Sequence, residues 1–265
     1  LNRIPRSRPD EQQRVIDALL ADRPRKDGVG VGVLPPPGAA PLITRVGTPL
    51  MSFRGRPPVP ADNRDQDALI AADPWVGVGM GSGHLLSDVH FGDARIHIEW
   101  YSPPGGSAQM AGNSGVYLQD RYEVQVLGTP AGDRPTAIDE AGAIYGVKPA
   151  DRNASTGPGT WQAYDIWFRA PRFDAAGAKV ADARMTVIWN GVPVHVDVPV
   201  PGPTGAAGRG GEEPSAWLVD ADGLRVQIGP LHLQDHASAA EGPVRYRNAW
   251  IAPLDPAAAD PRPRR

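Results

Sequence analysis

Arg95-Ile96-His97-Ile98-Glu99-Trp100-Tyr101 is the stretch whose reading decides the fold of this chain. Ile96, Ile98 and Trp100 alternate with Arg95, His97, Glu99 and Tyr101, and a period of two sends the two sets to opposite faces of a β-strand. The same alternation returns at Gly115 to Gln119, Tyr122 to Val126, Tyr164 to Phe168, Met185 to Trp189 and Val192 to Val198, with turn residues between the runs. Asn190-Gly191, set between two such runs, is the strongest hairpin signal in the chain. Many short strands at roughly even spacing argue for an antiparallel β-sandwich.

The pattern differs at the two ends. Pro9-Asp10-Glu11 opens a segment whose Val15, Ile16, Leu19 and Leu20 share one helical face, and its acidic first turn suits the helix dipole. A Gly/Val/Pro-rich stretch from Gly28 to Pro41 follows. The expected organisation is a short helix and arm over residues 1–45, a sandwich domain over 46–254 and a disordered tail over 255–265. Pro201 to Gly223, rich in Gly and Ala, reads as a long surface loop.

Composition narrows the partners. With 31 Gly and 30 Pro among 265 residues, long helices cannot dominate. The 27 Lys+Arg against 30 Asp+Glu leave no electrostatic footprint for nucleic acid or an anionic membrane, and no apolar run is long enough for a membrane helix. The absence of cysteine excludes disulfides, a thiolate nucleophile and Cys-ligated zinc. The sequence starts at Leu1 without a methionine and carries no visible signal segment. Export to the periplasm or the exterior is nonetheless the expectation. Oligomeric state is left open.

Several motifs fail on their chemistry. Gly112-Asn113-Ser114-Gly115 lacks the G-x-S-x-G elbow, so Ser114 reads as structural. Gly77, Gly79, Gly81 and Gly83 give no G-x-G-x-x-G in any register. The six histidines show no metal-ligand spacing, and His84, His90, His195 and His232 read as isolated side chains.

From Phe91 onward an ordered set of motifs becomes specific. It runs through Phe91-Gly-Asp, His97-Ile-Glu-Trp, Gly112-Asn-Ser-Gly-Val-Tyr-Leu-Gln, Arg121-Tyr-Glu-Val-Gln-Val-Leu and Gly142-Ala-Ile-Tyr-Gly. It continues with Trp161-Gln, Asn190-Gly-Val, Gly229-Pro-Leu, Leu233-Gln-Asp-His and Val244-Arg-Tyr-Arg-Asn-Ala-Trp-Ile. Together these resemble the 3-keto-disaccharide hydrolase domain family over about residues 75–254. The resemblance implies a concanavalin A-like jelly roll and activity on 3-keto-glycosides. Two departures stand out: the lengthened turn from Ala237 to Gly242 and the insertion at Pro201 to Gly223.

Oxidation of a sugar at C3 acidifies the proton on C2, so a base can remove it and the enolate can expel the C1 substituent, with water able to add afterwards. Such a site needs a base, an acid and a partner for the enolate oxygen. Glu123 and His97 are the candidates for base and acid, with Glu99 and His236 as further titratable groups. Asn113, Gln125, Tyr145 and Arg247 are the candidates for holding the keto oxygen and hydroxyls. Because each opposes the apolar set of its own strand, His97, Glu99, Glu123 and Gln125 are expected to converge on one concave surface. No cofactor is established; a divalent ion on His97, Glu99 or Glu123 would stabilise an enediolate, although no spacing fixes one. The rivals are a non-catalytic carbohydrate-binding module, with Trp161, Trp167 or Tyr101 as sugar platforms, and a structural domain of a larger envelope complex.

Overall fold

The structure is a computed structural model that describes residues 30–43, 50–54, 75–205 and 217–254. The early helix, the tail over 255–265 and the middle of the Pro201 to Gly223 stretch lie outside these residues. Two antiparallel sheets face each other. The larger runs in the order β1 (Ala40–Ile43), β16 (Val244–Pro253), β5 (Ala94–Tyr101), β8 (Trp161–Arg169), β11 (Ala183–Trp189) and β12 (Val192–Val200), with β3 (Val76–Val78) also paired to β16. The second runs β2 (Met51–Arg54), β4 (His84–Phe91), β15 (Gly229–Leu233), β6 (Ser114–Leu118) and β7 (Tyr122–Val126).

Alternation decides which side of each strand enters the core. Ile96, Ile98 and Trp100 of β5 are fully buried, as are Val116 and Leu118 of β6 and Val124 and Val126 of β7. Across the gap Phe168 meets Phe91 at 6.2 Å and Tyr122 at 5.5 Å between ring centroids. The Tyr164 hydroxyl donates to the Gln125 carbonyl at 2.7 Å, and the Tyr246 hydroxyl donates to Ser114 Oγ at 2.7 Å. These two phenols carry the polar ends that a buried tyrosine must satisfy, and they tie the sheets together. Ser114 Oγ in turn donates to the Gln234 carbonyl, which makes it a core tie.

The Asn190-Gly191 hairpin joins β11 to β12 with both residues at positive φ, the geometry that a tight two-residue connection requires. Two sequence expectations change. The Gly/Pro-rich arm extends the large sheet, because β1 pairs with β16 from Ala40, ahead of the expected boundary at residue 46. The Pro201 to Gly223 stretch includes β13 (Trp217–Val219), part of a small third sheet with β14 (Arg225–Gln227), β9 (Arg172–Phe173) and β10 (Lys179–Ala181). Arg172 fastens this sheet to the sandwich: its guanidinium grips both oxygens of Asp93 at 2.9 and 2.7 Å and donates through Nε to Asp220 at 2.9 Å. Among the described residues no helix is long and apolar enough to cross a membrane.

Candidate active site

The outer face of the five-stranded sheet carries a row of cross-strand neighbours. Register places His232 of β15 opposite Tyr117 of β6, and Tyr117 opposite Glu123 of β7. His84 of β4 completes the row, its ring edge-on to His232 at 4.6 Å. Directly opposed residues of an antiparallel pair stand only about 5 Å apart, so the side chains of such a row are in contact.

Glu123 is 2% exposed, and the groups that touch it are polar. The Tyr117 hydroxyl donates to Glu123 Oε2 at 2.7 Å and accepts from Gln234 Nε2 at 3.1 Å. The Gln125 amide, turned so that its nitrogen faces two acceptors, donates to Glu123 Oε1 and to the Ser114 carbonyl, both at 3.0 Å. Gly115 leaves room for the carboxylate: a Cβ there would stand 2.3 Å from Oε1 and 2.8 Å from the Tyr117 ring. Gly205 closes over the other oxygen, where a Cβ would come within 1.9 Å of Oε2. Thr204 anchors that cover, accepting the Glu123 N–H at 2.6 Å through Oγ1 and donating its own N–H to the Arg121 carbonyl. Burial pushes the Glu123 carboxyl up to about 7, against the lowering effect of the Tyr117 hydrogen bond. A carboxylate poised there can accept a proton from carbon near neutral pH.

Asn113 and Tyr145 flank this centre. The Asn113 amide donates to the Gln109 carbonyl at 2.8 Å and borders Gln125 at 3.4 Å. The Tyr145 N–H donates to the Glu123 carbonyl at 3.1 Å. Glu123, Gln125 and Asn113 therefore neighbour one another through their side chains, and Tyr145 joins them through its backbone.

His97, Glu99 and Arg247 form a different cluster on the outer face of the seven-stranded sheet, with the apolar core between it and Glu123. The expected convergence of His97 and Glu99 with Glu123 and Gln125 does not occur, so an ion on Glu123 would share no ligand with His97 or Glu99. The alternation was read correctly; the outward faces belong to opposite layers of the sandwich. His97 Nδ1 lies 3.1 Å from Asp165 and Nε2 lies 3.6 Å from Glu99, with the ring stacked on Trp250 at 5.4 Å. Arg247 Nε donates to Glu99 Oε2 at 2.6 Å, while Asn248 Nδ2 and the Gly32 N–H donate to Oε1 at 2.8 and 2.6 Å. The arm lies over this cluster, its Val33 carbonyl accepting from Asn248 and from the Trp250 indole. Burial works against the charged form of His97, and the Asp165 and Glu99 carboxylates outweigh it, raising its pKa to about 8. Two cations facing two carboxylates make a charge-balanced group that holds the arm. Arg247 also stacks on Trp161 at 4.0 Å, Arg95 on Trp167 at 5.0 Å and Arg245 on Tyr101 at 5.0 Å. One face of each expected sugar platform is thus occupied by a guanidinium.

His236 lies beyond the end of β15, where its Nδ1 meets the Ala237 carbonyl at 2.7 Å. Tyr117 and His232 were missed as site residues. The signal for Tyr117 was present: a three-residue turn pairs Leu118 with Tyr122, which sets Tyr117 opposite Glu123. His232 had no such local marker, because its neighbour is more than 100 positions away in the chain.

The sequence profile of the 3-keto-alpha-glucoside-1,2-lyase-like domain matches residues 53–252. Among curated proteins none matches the chain. Among solved structures, a protein from Parabacteroides distasonis ATCC 8503, provisionally named a glycosyl hydrolase, shares 29% identity at a TM-score of 0.66, over 84% of this chain and 86% of its own. A second, similarly named protein from that organism shares 17% identity at a TM-score of 0.40, over 64% and 83% of the two chains. The alginate lyase Aly36B shares 13% at 0.38, over 70% and 82%.

Proposed function

The chain belongs to the 3-keto-alpha-glucoside-1,2-lyase-like family, and from that premise we propose that it cleaves 3-keto-glycosides by removing the C2 proton and expelling the C1 oxygen. The observation that carries this reading is Glu123: a buried carboxylate, held by a phenol and an amide, with its pKa brought to about 7. A general base is most effective when its pKa lies near the working pH. The C2–H electron pair moves into the C3 carbonyl to give an enolate; its return expels the glycosidic oxygen and leaves a C1–C2 double bond. Asn113, Gln125 and Tyr117 are the polar side chains beside Glu123; to hold the enolate oxygen or sugar hydroxyls they exchange the hydrogen bonds they now give to Gln109, the Ser114 carbonyl and Glu123. Gly205 covers Oε2, so a substrate that reaches this oxygen has to displace that residue.

The neighbours of Glu123 are unlike the carboxylate pair of a conventional glycosidase, in which two acids flank the scissile bond. Incubation with a 3-keto-glucoside in deuterated solvent tests the reading. The parent should release the aglycone and exchange C2–H, and should leave the unoxidised glucoside intact. Glu123→Gln should lower both rates by about 100-fold or more. Cleavage of the unoxidised glucoside without exchange would refute the proposal. Binding without turnover would return the protein to the carbohydrate-binding modules.

A further inference from the structure

We infer that Asp120 and His232 form the second proton-transfer pair of the Glu123 site, with His232 Nε2 giving its proton to the departing glycosidic oxygen. This rests on the lyase reading above and adds an acid to it. His232 is 9% exposed, and its Nδ1 is 2.5 Å from Asp120 Oδ1. An aspartate in that place fixes Nδ1 as the protonated nitrogen and balances the charge of an imidazolium, the pairing by which a histidine is oriented for proton transfer. The other nitrogen, Nε2, is buried and has no hydrogen-bond partner among the described residues. A buried imidazole nitrogen without a partner carries a desolvation penalty, so its persistence calls for an explanation such as a ligand or catalytic role. The ring itself is stacked on Tyr117 at 4.8 Å and 17°, and the hydroxyl of that tyrosine is on Glu123.

His97 Nε2 and His195 Nδ1 likewise have no hydrogen-bond partner among the described residues, but both belong to strands of the seven-stranded sheet, so His232 Nε2 is the one on the sheet that carries Glu123. His84 Nδ1 accepts the Asp235 N–H at 3.0 Å, His97 faces away on the opposite sheet, and His236 lies past the strand end. Geometry also matches the reaction. A base and an acid that each approach to about 3 Å around a C2–C1–O unit stand several ångströms apart. One intervening cross-strand neighbour, here Tyr117, provides that order of separation. The step balances without a further reactant: Glu123 gains the C2 proton, the imidazolium loses one to the leaving oxygen, and the products are the 1,2-unsaturated 3-keto sugar and the free alcohol. Solvent returns both groups to their starting states.

The test compares 4-nitrophenyl and methyl 3-keto-glucosides, because an acid is needed for a poor leaving group and dispensable for a good one. His232→Gln should lose about 100-fold or more on the methyl glycoside while staying within about 5-fold of the parent on the nitrophenyl glycoside, with C2 exchange retained. Asp120→Asn, whose substitution site is the more exposed end of the pair, should show the same split at about 10-fold and keeps the test open if His232→Gln does not fold. Equal losses on both glycosides, or none, would overturn the acid role while leaving the lyase reading intact. A parent that neither exchanges C2 nor cleaves either glycoside overturns the lyase reading and this inference with it.

Discussion

Replacing Glu123 by glutamine should make the protein more stable above neutral pH, even as it removes the proposed base. The carboxyl has an ordinary value of 4.5 and is raised to about 7, with burial as the main cause. Between those values the folded protein holds a proton that the unfolded chain has released, so stability falls as pH rises through this window. Each unit is worth about 1.4 kcal/mol, which gives roughly 3 kcal/mol of destabilisation in full above pH 7. Glutamine carries no charge to desolvate, and the Gln125 amide can turn to present its oxygen to the new amide. For a protein of this size the gain corresponds to a Tm higher by about 6–12 °C at about pH 8 and nearly unchanged at about pH 4. Thermal unfolding of parent and variant across that range measures it. A constant difference at all pH values would refute the reasoning, since a carboxylate that titrates normally contributes no such slope.

Two further perturbations separate the two outer faces. Gly115→Ala should displace the Glu123 carboxylate, because the added carbon would stand 2.3 Å from Oε1; a stability loss of about 1–3 kcal/mol in urea titrations, with turnover lost alongside it, is expected. His97→Gln should act on stability alone. The raised pKa of about 8 means that the parent's extra stability is complete below the ordinary 6.5 and is lost as pH rises through 8. The variant should therefore lie about 2 kcal/mol below the parent in mild acid and approach it above about pH 8, with turnover preserved. Loss of C2 exchange in His97→Gln would contradict the assignment of this residue to the arm-holding cluster.

The period of two along Arg95 to Tyr101 and Tyr122 to Val126 was sufficient to sort core-facing from outward-facing residues, because alternation is a local property of an extended backbone. It identified Ile96, Ile98 and Trp100 as core, and Glu123 and Gln125 as outward-facing. The Asn190-Gly191 hairpin was equally local, since two positive φ values suffice to reverse the chain there. What alternation does not encode is which sheet a strand joins. His97 and Glu123 both point outward, but β5 lies between β16 and β8 whereas β7 pairs with β6, so their side chains leave opposite faces of the sandwich. Pairings over long sequence separations also set His232 beside Tyr117, brought the arm onto Glu99 and laid Gly205 over Glu123. Sequence alone determined the strongly alternating strands, their inward faces and the family resemblance. Tertiary structure decided which outward residues share a site and where burial raises a carboxyl to about 7, because contact and desolvation depend on residues that only strand order and sheet packing bring together.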